Sequence, residues 1–163
     1  MRGLRHLFDL SSAKRRFPAA TLDAIQRAIA ASEDRHHGEI VFAVEGSLGL
    51  GDVLRGVTAR ARAEEVFAHL RVWNTERNTG VLVYLLLADQ AIEIVGDRSV
   101  AREIDASEWA PICTSMQQHF RAGEYERGAI VGIDAVGALL ARHFPADGGR
   151  GNADELPDRP VLL

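Results

Sequence analysis

The sequence predicts an α/β fold: a three-layer α/β/α sandwich around a small mixed sheet, with the element order α-β-α-β-β-α-α. Three observations lead there. Short runs of branched residues (EIVFAVE, VLVYLLL and IEIV) are apolar on both faces, so each needs cover on both sides of a sheet. Apolar stripes at helical spacing lie before, between and after them. The 163 residues are the length of one domain, long enough to bury a single core.

The elements follow in order. A first helix is expected over about 20–33, where Leu22, Ile25, Ala28 and Ile29 recur at helical spacing behind Thr21 as N-cap. Gly38 closes the polar link to the first strand, EIVFAVE. The loop GSLGLGD then leads to a helix over about 53–70, with Leu54, Val57, Ala61, Val66, Phe67 and Leu70 inward. The runs 81–87 and 92–95 are too short for typical helices and read as strands. Only Asp89 and Gln90 break them, which suits a tight antiparallel hairpin and is too short for a crossover. The first two strands, joined through a helix, are expected parallel with a right-handed crossover.

The third helix carries one continuous stripe: Trp109, Ile112, Cys113, Met116 and Phe120. Asp105 or Ser107 caps it, and Pro111 comes early. A fourth helix, over about 124–144, turns Tyr125, Ala129, Ile133, Val136 and Leu140 inward. Gly128 and Gly132, one turn apart, imply close approach of a neighbouring element. After Phe144 periodicity is lost. The expected organisation is a basic lead-in over 1–19, the α/β/α domain over 20–145 and a flexible tail over 146–163.

Composition narrows the function classes. A net charge of -4 argues against a nucleic-acid partner, which needs a basic face to neutralise phosphates. The cations Arg2, Arg5, Lys14, Arg15 and Arg16 do crowd the start. The single cysteine, Cys113, cannot close an internal disulfide. The start lacks the apolar run of a signal peptide, and the stretch 81–88 is far short of the roughly 20 residues of a membrane span. A cytoplasmic, non-spanning protein is expected.

Catalytic signatures are few. Gly46, Gly49 and Gly51 follow a strand, but their order is G-x-x-G-x-G rather than the dinucleotide fingerprint. Cys113 lies on the apolar stripe, where a thiol is an inert hydrophobe. His36, His37 and Glu39 could begin a zinc site but lack further ligands at recognisable spacing. His69, His119 and His143 sit near helix ends, complementing the dipole. Glu45, Asp52 and Asp89 share one rim of the sheet. The other rim is the candidate site: folding the hairpin brings Asn78, Thr79, Asp97 and Arg98 to one corner, with Asp105 close enough in sequence to join. Asn78, Asp97 and Asp105 offer oxygen ligands that suit Ca2+ or Mg2+.

The runs WNTERNTGVLVY (73–84), IEIVGD (92–97) and FRAGEYERG (120–128), with Trp109 between the last two, resemble the TPM domain. That family is named after a thylakoid lumen protein, a photosystem II repair factor and an accessory subunit of a worm acetylcholine receptor. The likeness spans about 21–145, and the closing NADELPDRP resembles the tail of a bacterial subgroup. It implies an α/β/α fold. Some plant relatives are described as acid phosphatases, calcium binding is described for relatives, and others assemble or maintain membrane complexes. Asn78 and Gly80 match the family's N-G-V-L strand entry, and Asp105 its acid before the next helix. Where the family commonly has G-x-G-L-E, this chain has Gly96-Asp97-Arg98-Ser99-Val100.

The expected function is therefore a binding or assembly module for a membrane-associated protein partner. The alternative is a metal-dependent phosphomonoesterase, with Asp97 and Asp105 holding the cation and Arg98 neutralising phosphate. A calcium-binding protein without turnover is the third expectation.

Overall fold

The computed structural model describes residues 12–147 and 154–163. Along the chain lie α1 (Ser12–Arg16), α2 (Ala19–Glu33), β1 (Glu39–Glu45), α3 (Leu50–Leu54) and α4 (Ala59–His69). Then come β2 (Gly80–Leu86), β3 (Ala91–Gly96), α5 (Arg98–Glu103), α6 (Ala106–Arg121), α7 (Tyr125–His143) and β4 (Val161–Leu162). The strands form one sheet in the order β3-β2-β1-β4. β1 and β2 pair in parallel from Glu39↔Gly80 to Glu45↔Leu86. β2 and β3 form the expected antiparallel hairpin, from Val81↔Gly96 to Leu86↔Ala91.

Every residue of β1 and β2 is buried, so alternate side chains fill two cores. Ile40, Phe42, Val44, Val81, Val83 and Leu85 pack with Ile25 and Ile29 of α2, Met116 of α6 and Ile133 of α7. Val41, Ala43, Leu82, Tyr84 and Leu86 pack with Ala63 and Val66 of α4. This is the three-layer arrangement the two-sided apolar strands require. Gly132 lets α6 approach α7: a Cβ there would stand 2.3 Å from Met116 Sδ.

Several boundaries differ from the sequence reading. α2 begins behind Pro18, and Thr21 lies inside it, donating its hydroxyl to Glu126 Oε2 at 2.8 Å rather than capping the helix. The helix expected over 53–70 is two helices, because Gly56 takes a φ of +74° and Thr58 starts α4 afresh by accepting the Ala61 N–H. α5 is additional, too short for periodicity to reveal.

Both ends of the expected domain move outward. Residues 1–11, with Arg2 and Arg5, lie outside the described residues. Residues 12–19 contain α1 and belong to the core: Ala13 and Phe17 are buried, and the Phe17 ring lies 6.2 Å from that of Phe42. The expected flexible tail is corrected over 154–163. There β4 adds to β1 in parallel at Ala43↔Val161 and Val44↔Leu162, and Leu156 is buried in the second core. A segment without periodicity is ordered here by partners far away in sequence.

Candidate functional site

The amino ends of β1 and β2 form a polar rim. Asn78 turns the chain into β2 with a φ of +53°, a conformation asparagine tolerates better than most residues. Its carbonyl accepts the Ser99 N–H at 3.1 Å, and its Oδ1 accepts from Arg98 Nη2 at 3.2 Å. Asp97 leaves β3 with its N–H on the Gly80 carbonyl at 2.8 Å and caps α5 by accepting the Arg98 N–H at 2.7 Å. It is only 6% exposed, and its second oxygen, Oδ2, is buried without a hydrogen-bond partner. Asn78, Asp97 and Arg98 thus meet in one corner.

Asp105 does not join them. It stands beyond the far end of α5, six residues that rise roughly 9 Å at the usual 1.5 Å per residue. There it caps α6, accepting the Ser107 N–H at 2.8 Å while Glu108 reaches back to its own N–H. Hydrogen bonds from Ser107 hold its carboxyl below the ordinary range. The three expected oxygen ligands therefore do not fit Ca2+ or Mg2+ together. One is remote, and the Asn78 oxygen already faces a guanidinium. Asp97 Oδ2 is without a partner but buried.

A second polar cluster lies where α2 ends and β1 begins. Glu33 Oε1 accepts the Ile40 N–H at 2.7 Å, closing the outer edge of β1. Glu39 is fully buried, and its Oε2 accepts the N–H groups of Glu155 and Leu156 at 3.2 Å each. Carboxylate oxygens of Glu33, Glu39 and Asp154 lie within 4.8 Å of one another. Burial, with Glu39 and Asp158 nearby, pushes the Glu33 carboxyl up to about 9. Burial foremost, then Glu155 and Asp154, pushes Glu39 up to about 7. Asp158 is also raised, by burial and by Asp154, and shares a hydrogen bond with Glu33. Glu33, Glu39 and Asp158 accommodate one another by holding protons more tightly than free carboxyls do.

No local pattern in the sequence brings this cluster together. Its signal is the acid that opens the apolar strand EIVFAVE, together with the acids of DELPD.

Two of the histidines take structural parts. His36 is buried between Ser32 Oγ at 3.0 Å and Gly38 at 3.1 Å, and burial lowers it to about 4, so the ring is neutral. His119 pairs with Glu124 at 2.6 Å. Burial raises the Cys113 thiol to about 11, which keeps it a poor nucleophile. At the carboxyl rim of the sheet Glu45 is engaged by Arg62 and Tyr84, and Asp52 pairs with Arg55.

A small open sheet, parallel at its centre and hairpin-edged, between helical layers and with polar groups gathered at its amino rim, defines an α/β/α domain of the TPM type. Its sequence agrees: the TPM domain model matches residues 13–139, and the chain belongs to that family. Two solved structures share the fold. BA42 from the psychrophilic bacterium Bizionia argentinensis is 28% identical with a TM-score of 0.77, over 89% of this chain and 94% of that one. The N-terminal domain of a P. gingivalis protein is 18% identical with a TM-score of 0.63, over 85% and 92%, a likeness of fold alone. No curated protein matches the chain. Among the described residues no helix is long and apolar enough to cross a membrane.

Proposed function

We propose that this TPM domain is a binding and assembly module for a membrane-associated protein partner, and that it docks through the carboxyl rim of its parallel strands. One observation carries the reading. On α3, Leu50 is 52% exposed and Leu54 is 79% exposed, four residues apart and so on one helix face. The fold gains nothing from leucines held in water on an ordered turn, whereas a partner surface would bury them. Leu163, 42% exposed, ends the chain at the same rim, where its N–H reaches the Val44 carbonyl. The neighbouring charges Asp52 and Arg55 neutralise each other, so apolar burial is the recognition force.

The test is capture from detergent-solubilised membranes by the wild-type chain and by Leu50→Ser/Leu54→Ser. A protein retained by the first and lost from the second supports the reading, given equal circular dichroism. Equal capture by both overturns it. So does direct binding to protein-free vesicles of phosphatidylcholine and phosphatidylglycerol, which would make lipid the target.

Phosphomonoester hydrolysis is the second reading, and the orphaned Asp97 Oδ2 beside Arg98 is the observation in its favour. The Arg98 guanidinium suits the negative charge of a phosphate ester, while the partnerless Asp97 carboxylate, which the phosphate itself would repel, suits the proton of an attacking water. Turnover of a generic phosphomonoester that is lost in Asp97→Asn supports it. No turnover, or turnover unchanged in that variant, removes it.

A further inference from the structure

We propose that residues 154–163 form a proton-operated strap, closed over Glu33 and Glu39 while those carboxyls retain protons and lifting from β1 as the protons leave. The strap is anchored at five points. The N–H groups of Glu155 and Leu156 meet Glu39, and Glu155 Oε2 accepts the Glu76 N–H at 2.8 Å. Leu156 enters the second core. Arg159 reaches Asp23 at 2.8 Å and Gln26 at 3.1 Å. Val161 and Leu162 pair with β1.

Closure has an electrostatic cost. It carries Asp154, Glu155 and Asp158 against two buried acids, Glu33 from α2 and Glu39 from β1. Among the described residues, the basic groups on the adjoining segments are turned to other partners: Arg159 to Asp23, His37 and Arg77 to Asp147, and Arg35 to Ser32. His36 is neutral. Protons are therefore what offset the repulsion. Retained by Glu33, the proton lets that carboxyl donate to Asp158, joining α2 to the strap.

The two strap N–H groups on Glu39 favour its charged form, but burial and the neighbouring acids outweigh them, leaving its carboxyl raised to about 7. With the strap lifted, Glu33 and Glu39 regain water and lose the strap's negative charge, so they hold protons less tightly. Closure is accordingly favoured at acid pH and weakens as pH rises through about 7 and then about 9.

The experiment is the backbone heteronuclear NOE of the full chain in EDTA, from about pH 5.5 to about pH 9.5. Leu156 and Leu163 amides should be as rigid as α7 at the acid end and reach free-chain values at the alkaline end, with α6 and α7 unchanged. Glu33→Gln/Glu39→Gln should keep the strap rigid throughout. Asp158→Asn, on the strap itself, should move the midpoint upward and decides the matter should the double variant not fold. A strap equally ordered at every pH overturns the proposal. So does a midpoint that Asp158→Asn leaves in place, or loss of strap order only together with α7.

Discussion

Arg62 grips Glu45 with a two-pronged hydrogen bond, Nε to Oε2 at 2.9 Å and Nη2 to Oε1 at 3.0 Å. Tyr84 adds its hydroxyl to Oε2 at 2.5 Å. Glu45 is 7% exposed at the end of β1, so the pair fastens α4 to the sheet. Burial and the hydrogen bond to Glu45 push the Tyr84 phenol well above its ordinary range. Removing the guanidinium strands a buried carboxylate. Arg62→Met should therefore cost about 3 kcal/mol and Tyr84→Phe about 1 kcal/mol, read from urea unfolding.

Two glycines separate tight backbone from adaptable side-chain contact. A Cβ on Gly80 would lie 1.9 Å from the Val72 carbonyl oxygen, which cannot move without displacing the loop into β2. At Gly132 the obstacle is Met116, whose side chain can rotate away. Gly132→Ala should cost about 1–3 kcal/mol and still fold. Gly80→Ala should be clearly worse, with a lower melting temperature than Gly132→Ala in the same scan.

The elements legible in the sequence were those whose order is local. Trp109, Ile112, Met116 and Phe120 announced α6, and Asp89-Gln90 between two apolar runs announced the hairpin. The corner of Asn78, Asp97 and Arg98 followed from that hairpin's geometry. What escaped depends on groups distant in the chain. The strap has no period of its own; its order comes from Glu39 and β1 more than a hundred residues earlier. Asp105 is near the corner in sequence, but α5, six residues without a visible stripe, separates the two in space.

Asp105 should behave as a helix cap. Asparagine can accept the Ser107 N–H as aspartate does, whereas alanine cannot. Asp105→Asn should preserve helicity and melting temperature, Asp105→Ala should lower both, and calcium should change neither protein's melting curve. A calcium-dependent rise that Asp105→Asn abolishes would return the residue to a ligand role.

Stability should pass through a maximum on the acid side of neutrality. His36 is held near 4, below its ordinary 6.5, so on acidification the unfolded ring takes up a proton that the folded ring refuses. Its contribution is intact above 6.5 and lost as pH falls toward 4. Glu33 and Glu39 act with the opposite sign. Their folded carboxyls keep protons up to about 9 and about 7, whereas unfolded ones lose them near 4.5. That contribution is full below 4.5 and fades as pH rises through those values. Urea midpoints measured across this range should trace the dome. Glu33→Gln should flatten the decline between about pH 7 and about pH 9 while leaving the acid limb, which belongs to His36, where it is. An unchanged alkaline limb in Glu33→Gln would show that the buried carboxyls do not govern it.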